Sequence, residues 1–145
     1  MSYFKLYSLV ALFLLAACGS EKKDPGNTQS TPQEPSQSFS GTYRGTQTGT
    51  FLALFPISGD VTVTLTDGGQ GRINGTWVSS STSGTVVGLV KNGNDFECSV
   101  IIPNTHLCNG ALSGSGTLDG NKMVLKVSGA TGCGTADVQL NLLRQ

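Results

Sequence analysis

From residue 39 onward, apolar and polar residues alternate one for one. Val61, Val63 and Leu65 interleave with Thr62, Thr64 and Thr66. Ile73, Gly75 and Trp77 oppose Arg72, Asn74 and Thr76, and Phe96, Cys98 and Val100 oppose Glu97 and Ser99. The same alternation places Phe39, Gly41, Tyr43 and Gly45 on one face, then Leu112, Gly114, Gly116 and Leu118, then Met123, Leu125 and Val127, then Ala136, Val138, Leu140 and Leu142. Thr85 to Val90 is apolar on both faces, with Gly88 free to bend. A period of two sends successive side chains to opposite faces of a strand, and no window repeats apolar residues at helical spacing. The pattern predicts about eight strands, each with one apolar face.

The connections set the order of those strands. Asp67-Gly68, Asn92-Gly93 and Asp119-Gly120 are tight-turn pairs, because a type I′ hairpin needs positive φ at both central residues. They join strands two to three, four to five and six to seven. The longer connections, 49–60, 79–83, 103–109 and 129–134, then fall together at the opposite end. Eight antiparallel strands leave two open edges unless the sheet closes. Closure at eight gives an interior that side chains fill, or that holds one small ligand. The expected fold is an all-β, eight-stranded, antiparallel up-and-down barrel over 39–145, with both termini at the tight-turn end. A two-sheet sandwich is the alternative. Inward glycines suit the curvature of a closed sheet.

The first 38 residues are of another kind. Lys5 precedes an apolar run from Leu6 to Ala17, shorter than the roughly 20 residues that span a bilayer. A positive start, a short apolar stretch and small residues at its end predict a signal peptide over 1–17. Residues 19–38 contain no aliphatic or aromatic side chain but include Pro25, Pro32 and Pro35. Such a segment has nothing to offset the entropy of ordering. Residues 18–38 are therefore expected to form a disordered linker, reaching roughly 25 Å on average. Lys22-Lys23, flanked by acids, is a weak headgroup signal.

Leu15-Ala16-Ala17-Cys18 resembles the lipobox of bacterial lipoproteins. That resemblance implies cleavage before Cys18, a diacylglyceryl thioether on Cys18 and acylation of the new amino terminus. The implied partner is a membrane, reached through the N-terminal lipid. Two or three acyl chains hold a protein firmly, at about 0.8 kcal/mol per buried methylene. The implied location is the cell envelope. Gly19 stands where inner-membrane retention would place Asp, which in a diderm cell implies the outer membrane.

The strand order, the loop asymmetry and Asn74-Gly75-Thr76-Trp77 are similar to calycin-like barrels, the lipocalin and avidin groups. The first strand opens Gly41-Thr42-Tyr43 where lipocalins have Gly-x-Trp, and no binding residue is carried over from either group.

Charge and chemistry narrow the function. Six cations in 39–145 balance six acids, and they are scattered. No basic stripe marks a nucleic-acid partner. His106, the only histidine, lies in the 103–109 connection, and no Gly-x-Ser-x-Gly elbow occurs. The acids sit at turns or outward positions, and the glycines form no phosphate loop. The sequence predicts no catalytic residue, no cofactor and no metal. Four cysteines occur. With Cys18 taken by lipid, Cys108 and Cys133 fall at the same predicted end and are expected to pair, a Cα separation within about 7 Å being required. Cys98 is then a buried small apolar residue; pairings of Cys98 with Cys108 or with Cys133 are the alternatives.

Binding is expected at the long-connection end. The run Phe51-Leu52-Ala53-Leu54-Phe55-Pro56-Ile57 is too apolar to stand in water. It is expected either to plug the open end of the barrel or extend strand one, or to act as a lid over an apolar cavity or a contact for a partner protein or lipid, with Phe51, Leu54 and Phe55 as contacts. Tyr43 and Trp77 point inward and are either core or pocket lining. The functional expectation is a non-enzymatic binding or interaction module. A carrier of a small apolar ligand, a module for an envelope protein and, last, a hydrolase are the readings to separate.

Overall fold

A computed structural model describes residues 37–105 and 108–145. The expected signal peptide over 1–17, Cys18, the expected linker up to residue 36 and His106 lie outside the described residues. The barrel belongs to a compact unit, residues 31–145. It has its own core and pairs all its own strands, so it can fold by itself.

Eight strands follow in order: β1 Gly41–Phe51, β2 Phe55–Gly69, β3 Arg72–Ser79, β4 Ser83–Asn92, β5 Asp95–Ile102, β6 Gly110–Asp119, β7 Lys122–Thr131 and β8 Gly134–Arg144. Each pairs antiparallel with the next, and β8 returns to pair with β1, closing the barrel. The seam runs from Tyr43 opposite Arg144 to Phe51 opposite Ala136. The alternation read from the sequence is the inside and outside of this cylinder. Val61, Val63, Leu65, Ile73, Phe96, Val100, Leu112, Leu125, Leu140 and Leu142 are all buried in one core. The threonines between Val61 and Leu65 point outward. An apolar interior under a polar exterior is the reverse of a membrane-spanning porin barrel.

The three tight turns and both ends of the described chain share one end, the floor. One turn sits three residues later than the sequence suggests and the other two one residue later. A bulge between Asp67 and Gly69 carries the β2–β3 ladder onward. The turn then falls on Gln70-Gly71, with φ of 52° and 73°. The other two turns are Gly93-Asn94 and Gly120-Asn121, and only the glycine of each takes positive φ. That is the requirement of a type II′ hairpin, not the expected I′.

The floor is sealed from within. Phe39 and Tyr43 are fully buried, and Phe39 meets Phe96 edge to face, ring centroids 5.3 Å apart at 74°. The Tyr43 hydroxyl donates to the Phe39 carbonyl at 2.8 Å and accepts from Arg144 Nε at 3.1 Å. The Arg144 guanidinium also lies over the Tyr43 ring, 5.1 Å from its centroid, a cation–π contact. Gln37 donates to the Leu118 carbonyl, and Arg144 to that of Ser38, fastening the incoming segment.

Two of the four expected long connections are short. The β7–β8 turn is only Gly132-Cys133. The 49–60 connection is a protruding hairpin. Thr50 pairs with Pro56 and Phe51 with Phe55, leaving only Leu52-Ala53-Leu54 to turn. Leu52 and Ala53 take φ of 52° and 56°, a left-handed conformation that non-glycine residues enter at a cost of about 1–2 kcal/mol each. Pairing of β2 with β3 begins only at Val61, so residues 55–60 pair with β1 alone. Strand, not loop, is how this run satisfies its backbone.

Candidate functional site

Large side chains do not fill the barrel evenly. The floor half holds Phe39, Tyr43, Phe96, Met123 and several leucines, each less than 2 % exposed. The rim half contains a cavity of about 330 Å³. Its wall is built from the rim ends of the strands. Phe51 and Ile57 come from the protruding hairpin, Ser81 and Thr82 from the β3–β4 turn, Ile102 and Cys108 from the β5–β6 connection, and Thr131 from the end of β7. Gln47, Trp77, Leu112, Ala136 and Val138 line it further in. Most of this surface is apolar. The volume lies at the lower end of the range of small-molecule sites, about 300–1,000 Å³.

Three residues of that wall each carry a polar atom without a partner. Gln47 Oε1, Trp77 Nε1 and Thr82 Oγ1 are buried and have no hydrogen-bond partner in the protein. Gln47 is 5 % exposed and Trp77 6 %. A buried polar atom left unpaired costs about 1–3 kcal/mol, so such atoms require an explanation. Their convergence on one cavity supplies it: a few placed polar groups in an apolar wall are how small-molecule sites fix orientation. The β3–β4 turn is held by Ser79, whose N–H donates to the Thr82 carbonyl at 2.8 Å and whose Oγ accepts from Thr82 N at 3.3 Å. The Thr82 backbone is thereby held while its hydroxyl remains available.

The residues singled out in the sequence separate into three groups. Trp77 and Phe51 line the cavity. Tyr43 does not: it is in the floor, its hydroxyl engaged by Phe39 and Arg144. Leu54 and Phe55 do not form a lid, being 79 % and 58 % exposed on the hairpin tip. Phe55 shares a face with Phe51, but past the rim that face meets solvent. Gln47 was not among the expected site residues. Continuing the alternation Tyr43, Gly45 by one step places Gln47 inward, and the signal was available in the sequence.

Cys108 and Cys133 are joined by a disulfide, with Cα atoms 4.9 Å apart. The bridge ties the β5–β6 connection to the β7–β8 turn beside the cavity. Cys98 is free and buried, as expected. Burial raises its thiol to about 11, so little thiolate exists near neutral pH and the side chain is a packing group. Among the described residues, no cluster of three or more His, Cys, Asp or Glu could hold a metal ion.

Fold and site together define a small closed barrel, sealed at its floor and hollow near its rim. Among solved structures, this chain is similar to the isotype 1 transferrin binding protein B from serogroup B Neisseria meningitidis. The TM-score is 0.55 at 18% identity, covering 79% of this chain and 26% of that one. The chain thus spans about a quarter of that protein's length, and the likeness is one of fold. It is also similar to Rv2717c from M. tuberculosis, with a TM-score of 0.48 at 16% identity, covering 73% of this chain and 92% of that one. No protein-family model matches the sequence, and no curated protein matches it.

Proposed function

We propose that this protein is a lipid-anchored module of the bacterial cell envelope whose barrel binds, without catalysis, a small and mainly apolar molecule. The observation that carries this reading is the rim-side cavity of about 330 Å³, in a barrel whose other half is tightly filled. A cylinder kept only for stability gains by filling such space, since dispersion contacts are lost along the wall of any void. The likeness to transferrin binding protein B supports the architecture. Among the described residues the lining offers hydroxyls and one amide but no carboxylate.

Native mass spectrometry of the protein purified from its own cell tests the reading. A small molecule retained by the folded barrel is the expected result. A barrel that carries nothing, and takes up none of a panel of small apolar compounds, would count against it. The exposed hairpin tip, Leu54 and Phe55, favours a second reading, contact with an envelope protein.

The anchor is tested separately. Cys18→Ser should move the protein from the detergent phase to the aqueous phase in a phase-partition assay, because each acyl methylene contributes about 0.8 kcal/mol of membrane affinity. Unchanged partition would show that Cys18 carries no lipid.

A further inference from the structure

We infer that the cavity selects a neutral ligand carrying a hydrogen-bond acceptor beside a donor, the pattern of an amide, on an apolar body, and rejects a carboxylate on the same skeleton. This rests on the reading of the cavity as a small-molecule site and specifies its chemistry.

The polar atoms without partners have fixed abilities. An indole Nε1 can only donate, an amide oxygen can only accept, and a hydroxyl does either. Trp77 Nε1 therefore calls for an acceptor and Gln47 Oε1 for a donor, with Thr82 Oγ1 able to serve whichever remains. Neither atom is open to a water molecule, so a ligand meets them as the two side chains turn toward the cavity that they line. An amide offers the partner that each calls for, a carbonyl for the indole and an N–H for Gln47. A ketone leaves Gln47 unpaired, and a hydrocarbon leaves all three.

Charge is excluded by the rest of the wall. Among the described residues, no Lys or Arg lines the cavity. Arg144 is occupied at the floor by Tyr43, and Lys91 pairs with Glu97 at 2.8 Å. A carboxylate entering here would lose its hydration without meeting an opposite charge. It would also bring no donor for Gln47. At interior packing density the cavity holds roughly a dozen non-hydrogen atoms, the size of a medium-chain amide. Phe51, Ile57, Ile102, Leu112 and Val138 would take its apolar body.

The chain has one tryptophan, and it is the one in the cavity. Its indole N–H therefore gives a single cross-peak in a proton–nitrogen correlation spectrum. Octanamide, 2-octanone and octanoate are titrated by calorimetry into the unit spanning residues 31–145 at about pH 8, where a histidine is ordinarily neutral. Octanamide should bind at least about tenfold more tightly than either, because a site built to hydrogen-bond a polar group discriminates against analogues that leave it unpaired. Octanamide should also shift the indole cross-peak. Gln47→Leu, which removes the acceptor at similar volume, should abolish the preference of octanamide over 2-octanone. If that variant does not fold, the indole cross-peak of the unaltered protein decides: a shift with octanamide supports the inference and no shift overturns it. Octanoate binding as tightly as octanamide overturns the inference but leaves the cavity reading standing. Failure of all three probes to bind overturns both.

Discussion

Gly114→Ala should lower the melting temperature of the barrel by about 12–24 °C, equivalent to about 3 kcal/mol in a domain of this size. The reason is a close approach between backbones. Gly114 faces inward on β6, and a Cβ there would stand 1.8 Å from the Lys126 carbonyl oxygen and 2.9 Å from the Val127 Cα. Those atoms belong to a paired strand and cannot rotate away as a side chain could. Gly45 makes the same approach across the seam, with a Cβ 1.9 Å from the Asn141 carbonyl oxygen. A methyl at either position must push two hydrogen-bonded strands apart or flatten the local bend. Ser115→Ala, one residue along on the outer face, is the control, and an exposed substitution of this kind should stay within about 0.5 kcal/mol. Differential scanning calorimetry decides. A Gly114→Ala barrel that melts with the unaltered protein would show that closure does not depend on these glycines.

Removing the disulfide should have an effect of similar size by a different route. The bridge closes a loop of 25 residues, for which the chain-entropy relation gives about 3.5 kcal/mol of restraint on the unfolded state. The double variant Cys108→Ala/Cys133→Ala should therefore reach its urea midpoint at markedly lower concentration. The slope should rise slightly, because the released chain exposes more surface when unfolded. An unchanged midpoint would mean that the rim holds its shape without the bridge. Since Cys108 lines the cavity, the same variant should also bind any rim-side ligand more weakly.

Much of this architecture was legible in the sequence because period-two alternation reports directly on a two-faced strand. Strand number, inward set, closure and the shared end of the tight turns all follow from Val61-Thr62-Val63-type patterning and three Gly-containing turns. The disulfide followed from the same map, since both cysteines were placed at one end. Other features depend on neighbours in space. The bulge at Asp67/Gly69 moved one turn because ladder pairing outweighed the local Asp-Gly signal. The apolar run after Gly49 was expected to plug the barrel, extend strand one or form a lid, and the ladder decides for extension because it satisfies the backbone groups. Tyr43 and Trp77 share the same inward signature, yet one closes the floor and the other lines the cavity. Which does which depends on height along the barrel, and height depends on strand tilt and register. The cavity itself is a difference of volumes summed over strands far apart in the chain, and no local pattern carries it.

The seam between β1 and β8 has a consequence for how this molecule comes into being. Every other pairing is a hairpin between sequence neighbours and forms with little loss of chain freedom. The last joins Tyr43 to Arg144, and so waits for nearly the whole polypeptide to be threaded before it can zip. Until that moment the nascent sheet carries two bare margins, each able to recruit a foreign strand. Closing the seam therefore also ends that exposure, and Arg144, bonded to Tyr43 beside the entry segment, caps its floor end.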